Sequence, residues 1–154
     1  LATAIYAGLT VFDLENIDYC YSPPFGAAKD PVNISGLVSS NILRNEIGYA
    51  TPQKFLEKLK DEIFILDVRS KLEFKSYRVK NAVNIYINEL RDSIGELPKN
   101  KPIYVYCAVG YRGYIASKLL QNLGFEAYNI LGGIEAIKRI AKIKNLEVID
   151  ASSS

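Results

Sequence analysis

From residue 47 onward the sequence predicts an α/β fold with a central, mainly parallel sheet flanked by helices. Two observations carry that prediction. Short apolar runs rich in β-branched and aromatic residues recur along the chain, as in "IFILDV" (63–68), "PIYVYC" (102–107) and "AYNILGG" (127–133). Helical patterns fill the short intervals between them, the signature of right-handed β-α-β crossovers. Sites in such sheets lie at the carboxyl ends of the strands, and Asp67 and Cys107 both stand there.

The elements follow in order. Thr51-Pro52 is a side-chain cap followed by proline at the first helical position, and Phe55, Leu56 and Leu59 form the apolar stripe of a helix over 52–60. The strand at 63–68 hands over to a short helix through Ser70-Lys71-Leu72-Glu73, a capping box. "AVNIYI" (82–87) is the next strand, leading into a helix across "NELRDSIGEL". Pro102 opens the most strand-like run, expected to be central and buried. Residues 112–123 set Ile115, Ala116, Leu119, Leu120 and Leu123 on one helical face, which Gly124 ends. After the 127–133 strand and glycine turn, Ile134, Ile137, Ile140 and Ala141 mark a last helix, and the "ASSS" tail is expected to fray.

Residues 1–46 differ in character. The opening "LATAIYAGLTV" is helix-like but uncapped, and 12–40 is punctuated by Pro23, Pro24, Gly26 and Pro31, with Tyr19, Tyr21 and Phe25 supplying rigid apolar area. Such a stretch is expected to pack on another domain or subunit rather than fold alone, disorder in isolation being the competing reading. With no methionine in the chain, the whole reads as a piece of a longer polypeptide.

Composition narrows the function. The chain has 154 residues, about half hydrophobic, enough to bury the core of one ordinary domain. A formal net charge of +2 with acids and bases interspersed gives no basic stripe, so nucleic acid is not an expected partner. No run reaches membrane-spanning length and no signal-peptide pattern is present, so the expected compartment is the cytoplasm. Two cysteines, Cys20 and Cys107, do not make a disulfide framework. The absence of histidine removes Ser-His and Cys-His catalysis and imidazole metal sites from this chain, and no metal is expected.

The chemistry concentrates in "CAVGYRG" (107–113). Cys107 leaves a strand, Gly110 and Gly113 permit unusual backbone angles, and a helix starts within the loop. Successive backbone N–H groups at such a helix start form an anion-binding nest. Arg112 puts a cation in the first helical turn, where the dipole disfavours it unless an anion is near. The implied anion is a thiolate, its persulfide or the substrate. The plain alternative is a small residue closing a buried strand, which is what a cysteine taken at random would be. Asp67 and Arg69 either shape the loop or pair with Arg112, or else form a strand-end helix cap and a surface ion pair.

"LDVR" (66–69), Glu73-Phe74, "NAVNI" (81–85), "VYCAVGYRG" (105–113) and "ILGG" (130–133) together resemble the rhodanese domain, over roughly residues 47–141. The resemblance implies a rhodanese-like α/β fold and sulfane-sulfur transfer through a persulfide on Cys107, with Ala108, Val109, Gly110, Tyr111, Arg112 and Gly113 as the anion-binding loop. Four residues separate Cys107 from Arg112, where the related cysteine phosphatases have five, and the smaller ring suits sulfur better than phosphate. The sequence departs from the family at Tyr77, Arg78 and Asn81, where a Gly-His pair and a glycine often stand, and at Ile137, where a tryptophan often stands.

"DYCYSPPFGAAKDPVN" (18–33) with "GLVSSNIL" (36–43) resembles the end of the dimerisation domain of flavin-dependent pyridine nucleotide-disulfide oxidoreductases of the coenzyme A disulfide reductase and NADH oxidase type. By that resemblance residues 1–46 are a remnant of that domain, or a linker, and 47–154 a C-terminal rhodanese domain. The parent would be a homodimer using FAD, NAD(P)H and coenzyme A, with a small-molecule sulfur donor or coenzyme A persulfide and its own flavin domain as partners. This fragment needs no cofactor and has no G-x-G-x-x-G fingerprint. Tyr21 would contact substrate in the full dimer, and Cys20, set between aromatics, reads as a packed structural residue. The competing hypotheses are a catalytically idle docking or dimerisation module and a dithiol switch involving Cys107.

Overall fold

The computed structural model describes residues 1–18 and 30–151. Contacts divide the chain into two units, Leu1–Glu46 and Ile47–Ser154.

In the first unit, α1 (Ala2–Tyr6) and α2 (Val11–Asn16) replace the single opening helix. Gly8 at φ 69° separates them, and Thr10 with Asp13 closes a capping box on α2. A 13-residue helix, α3 (Pro31–Leu43), follows in a stretch for which the sequence reading names no helix. Asp30 caps it by accepting from the Val32 N–H, with proline at the first position, the same device as Thr51-Pro52. Asn33 Nδ2 donates to the carbonyls of Leu14 and Ile17, and Arg44 pairs with Glu15, so α2 and α3 are tied together.

The second unit holds five parallel strands: β1 (Tyr49–Ala50), β2 (Phe64–Asp67), β4 (Val83–Asn84), β5 (Ile103–Tyr106) and β6 (Ala127–Ile130), in the order β1-β6-β5-β2-β4. Helices α4 (Pro52–Lys58), α5 (Lys71–Ser76), α6 (Tyr111–Asn122) and α7 (Gly133–Ile143) flank it. The central parallel sheet of the sequence reading is therefore present. A separate antiparallel pair joins β3 (Tyr77–Val79) to β7 (Ile149–Ala151).

Strand alternation sorts the core into two layers. Leu66, Ile103, Val105 and Cys107 face one way and meet Ala116 and Leu120 of α6. Ile65, Tyr104 and Tyr106 face the other and meet Phe55 and Leu56 of α4 and Ile134, Ile137 and Ala141 of α7. Each fully buried Leu, Ile or Phe contributes about 1.5–3 kcal/mol. Ile137 is fully buried, so an aliphatic side chain serves in the place of the family's frequent tryptophan. Asn81 stands at φ 61°, a left-handed position that asparagine tolerates where glycine is frequent.

Two elements depart from expectation. "AVNIYI" is in register with β2 for only two residues, because Asn84 turns its amide onto the carbonyls of Asp67 and Arg69 and the chain then runs alongside irregularly. "NELRDSIGEL" is a chain of three-residue turns with a 3-10 turn at Ile94–Glu96. Leu90 and Leu97, both buried, anchor it near its start and at its end, and anchors seven residues apart give no helical stripe.

Candidate active site

The period of β5 sends the Cys107 side chain inward under α6, and the residue is 1% exposed. Its Sγ accepts the Gly110 N–H at 3.1 Å. That bond requires the loop to reverse within three residues, and Gly110 does so at φ 114°, which L side chains rarely adopt. Tyr111, Arg112 and Gly113 form the first turn of α6, whose N–H groups have no acceptor within the helix. Gly113 packs against Asn129 of β6. Val109 and Tyr111 point outward, 68% and 69% exposed.

The loop is held from beneath by the start of α7. Ile134 N–H donates to the Cys107 carbonyl at 2.8 Å and Glu135 N–H to the Ala108 carbonyl at 3.3 Å. Gly133 permits this approach: at φ 57°, a Cβ there would lie against the Cys107 carbonyl oxygen and 2.6 Å from that of Ala108. The double glycine of "ILGG" is thus the floor of the cysteine loop.

Arg112 does not pair with Asp67 or form the contact suggested for Arg69. It makes a bidentate ion pair with Glu73, Nη1 to Oε2 at 2.8 Å and Nη2 to Oε1 at 2.7 Å. The same carboxylate closes the capping box of α5, accepting from Ser70 N–H at 3.0 Å and Ser70 Oγ at 2.9 Å. Arg112 holds the Glu73 carboxyl down to about 2, and Glu73 in turn raises Arg112 above its usual value. Glu73 was visible in the sequence as a capping residue, but nothing local says that it also reaches a helix 39 positions away.

Asp67 and Arg69 are a buried pair, not a surface one, at 0% and 1% exposure. Arg69 donates to Asp67 through Nε at 3.0 Å and Nη2 at 2.7 Å, and Nη2 also reaches the Tyr77 carbonyl at 2.6 Å. Its guanidinium lies 5.0 Å from the Tyr77 ring centre and 5.6 Å from that of Tyr106. The Tyr106 hydroxyl accepts the Val79 N–H at 3.1 Å, and burial raises its pKa, helped by the charge of Asp67. The pair clamps β2, β3 and β5 below the loop. Cys20 and Tyr21 lie outside the described residues. Among the described residues no group of three or more His, Cys, Asp or Glu side chains is arranged to hold a metal, and no helix is long and apolar enough to cross a membrane.

A buried cysteine on a glycine-bearing loop between a parallel strand and a helix defines the class. The rhodanese-like domain family matches residues 51–140, and the chain belongs to it. Among solved structures it is similar to reduced Bacillus anthracis CoADR-RHD, with a TM-score of 0.87 and 36% identity over 92% of this chain and 26% of that one. It is also similar to an NAD-dependent persulfide reductase from A. fulgidus, with a TM-score of 0.76 and 36% identity over 88% of this chain and 24% of that one. A curated relative, the tRNA uridine(34) hydroxylase of Aster yellows witches'-broom phytoplasma (strain AYWB), is 34% identical over 135 residues, 81% of this chain and 44% of that protein. The chain therefore spans less than half the length of these three relatives.

Proposed function

We propose that Cys107 carries sulfane sulfur as a persulfide, and that the chain is the rhodanese module of a flavin-dependent coenzyme A disulfide or persulfide reductase. The observation that carries the first half is the Cys107 Sγ seated on the Gly110 N–H at the start of α6. The thiolate attacks the outer sulfur of the donor, the new S–S bond forming as the donor's S–S bond breaks. Thiosulfate leaves as sulfite and an organic persulfide leaves as its thiolate. The loop N–H groups receive the charge that develops on the transferred sulfur. A second thiolate then attacks that sulfur and restores Cys107.

The parent assignment is supported by the 18–33 stretch and by the CoADR-RHD match, whose 92% coverage extends well beyond the 51–140 domain. In the first unit Ile5, Tyr6 and Leu43 are 79%, 95% and 62% exposed, which suits a segment that packs on further protein in a homodimer, with Tyr21 near the partner's substrate. FAD, NAD(P)H and coenzyme A would be bound by other parts of that parent, and no step above depends on them. The work would be cytoplasmic. The hydroxylase name of the phytoplasma relative favours a second reading, a sulfur-handling domain attached to a tRNA-modifying protein. The absence of a basic stripe weighs against it.

The test is single-turnover delivery. Chain loaded with sulfur should pass it to coenzyme A, detected as the alkylated persulfide, while Cys107→Ser passes none. Delivery unchanged in Cys107→Ser would defeat the assignment, and tight tRNA binding without delivery would support the second reading.

A further inference from the structure

The loop 107–113 contains one charged side chain, Arg112, and it is the group a doubly charged donor would need. Both terminal nitrogens of its guanidinium are engaged in the fork with Glu73. Glu73 cannot readily turn away, because Ser70 N–H and Oγ hold the same carboxylate. The other charges adjoining the loop are also matched. Asp67 and Arg69 neutralise each other at the end of β2. Glu135, where α7 meets Ala108, faces Lys138 at 3.5 Å and accepts from the Tyr77 hydroxyl at 2.8 Å. These three acids and three bases sum to zero, and beside them stand the exposed apolar side chains Leu72, Val109 and Tyr111.

We infer that Glu73 determines donor preference: by occupying Arg112 it makes the Cys107 site favour singly charged or neutral sulfane-sulfur donors over the thiosulfate dianion. This rests on the persulfide reading of Cys107. With Glu73 in place a dianion meets a neutral ion pair. With the Glu73 charge removed, Arg112 becomes a net cation at the mouth of the loop. One unit charge a few ångströms from the donor, screened nearly as in water because Arg112 and Glu73 are each about one-third exposed, corresponds to a preference of about tenfold.

Two donors isolate the effect of charge. Thiosulfate, a dianion, and methanethiosulfonate, a monoanion, both hand their outer sulfur to the Cys107 thiolate and give the same Cys107 persulfide. One releases sulfite and the other methanesulfinate, with one S–S bond made and one broken in each. Second-order persulfidation rates would be measured on the full chain by stopped mixing and mass spectrometry. Glu73→Gln keeps a capping-box residue at this position, so α5 retains its start. In that variant the thiosulfate to methanethiosulfonate rate ratio should rise about tenfold, and the thiosulfate rate should become more sensitive to salt. Glu73→Asp should stay near the wild-type ratio, and Ser70→Ala, which loosens the cap but keeps the charge, should leave it unchanged.

An unchanged ratio in Glu73→Gln, or equal slowing with both donors, would overturn the inference and reduce Glu73 to a strut for Arg112. A ratio that moves as far in Ser70→Ala would do the same. Failure of wild type to load from either donor would instead overturn the persulfide reading itself.

Discussion

Gly133 joins the two loops of the site, and replacing it with alanine tests how tightly they are coupled. The added methyl would fall against the Cys107 carbonyl oxygen, 2.6 Å from the Ala108 carbonyl oxygen and 2.7 Å from its carbon. All three are backbone atoms, so no side chain can swing aside. Forcing them apart costs about 1–3 kcal/mol, and an alanine at φ 57° adds about 1 kcal/mol of backbone strain. The total of about 2–4 kcal/mol corresponds to a fall in Tm of roughly 10 °C. Gly124→Ala is the internal control, because its φ of 84° carries the strain while nothing lies within 4 Å of the new methyl. Thermal unfolding by circular dichroism gives the stability arm. Persulfidation of Cys107 gives the functional arm, where a shift of the loop by ~1 Å should slow loading by about a hundredfold. Equal destabilisation by the two alanines, with Gly133→Ala loading at the wild-type rate, would refute the coupling.

Other consequences follow from the buried network and the Glu73 pair. Asp67→Ala leaves the Arg69 guanidinium buried without its counter-charge and should cost about 3–5 kcal/mol in urea unfolding. Tyr106→Phe removes the acceptor of the buried Val79 N–H and should cost about 1–3 kcal/mol while leaving persulfide loading unchanged. Because the Glu73 carboxyl is depressed from 4.5 to about 2, its contribution to stability is fully present above about pH 4.5 and is lost as pH falls toward 2. Glu73 is about one-third exposed, so the contribution is under about 1 kcal/mol, read as a shallower loss of stability between pH 6 and pH 2.5 in Glu73→Gln than in wild type.

Elements whose signal is local were readable in the sequence. Thr51-Pro52 marks the start of α4, Ser70 with Glu73 the start of α5, and the apolar runs at 64–67, 103–106 and 127–130 are the strands that frame the loop. Asp30-Pro31 carries the same start signal as Thr51-Pro52, but the prolines and glycine before it set the region apart as one expected to pack on other protein, and no helix is predicted there. The β3–β7 pair was not legible because three residues show no periodicity and their partner lies some seventy residues away. In the site, the cysteine loop announces itself through residue types, whereas its supports do not. That Arg112 turns to Glu73 while Arg69 folds back onto Asp67 depends on which carboxylate the tertiary fold brings within reach.

The central claim is that Cys107 is a sulfur carrier, and intact and peptide mass spectrometry tests it most directly. The folded chain with its thiol free is incubated with polysulfide or thiosulfate, sampled, and then treated with cyanide. The account predicts one added sulfur atom on the peptide containing Cys107, removed by cyanide as thiocyanate, and no such addition in Cys107→Ser. A Cys107 peptide that gains no sulfur from either donor would contradict it and leave the rhodanese fold here as a docking module with an idle thiol.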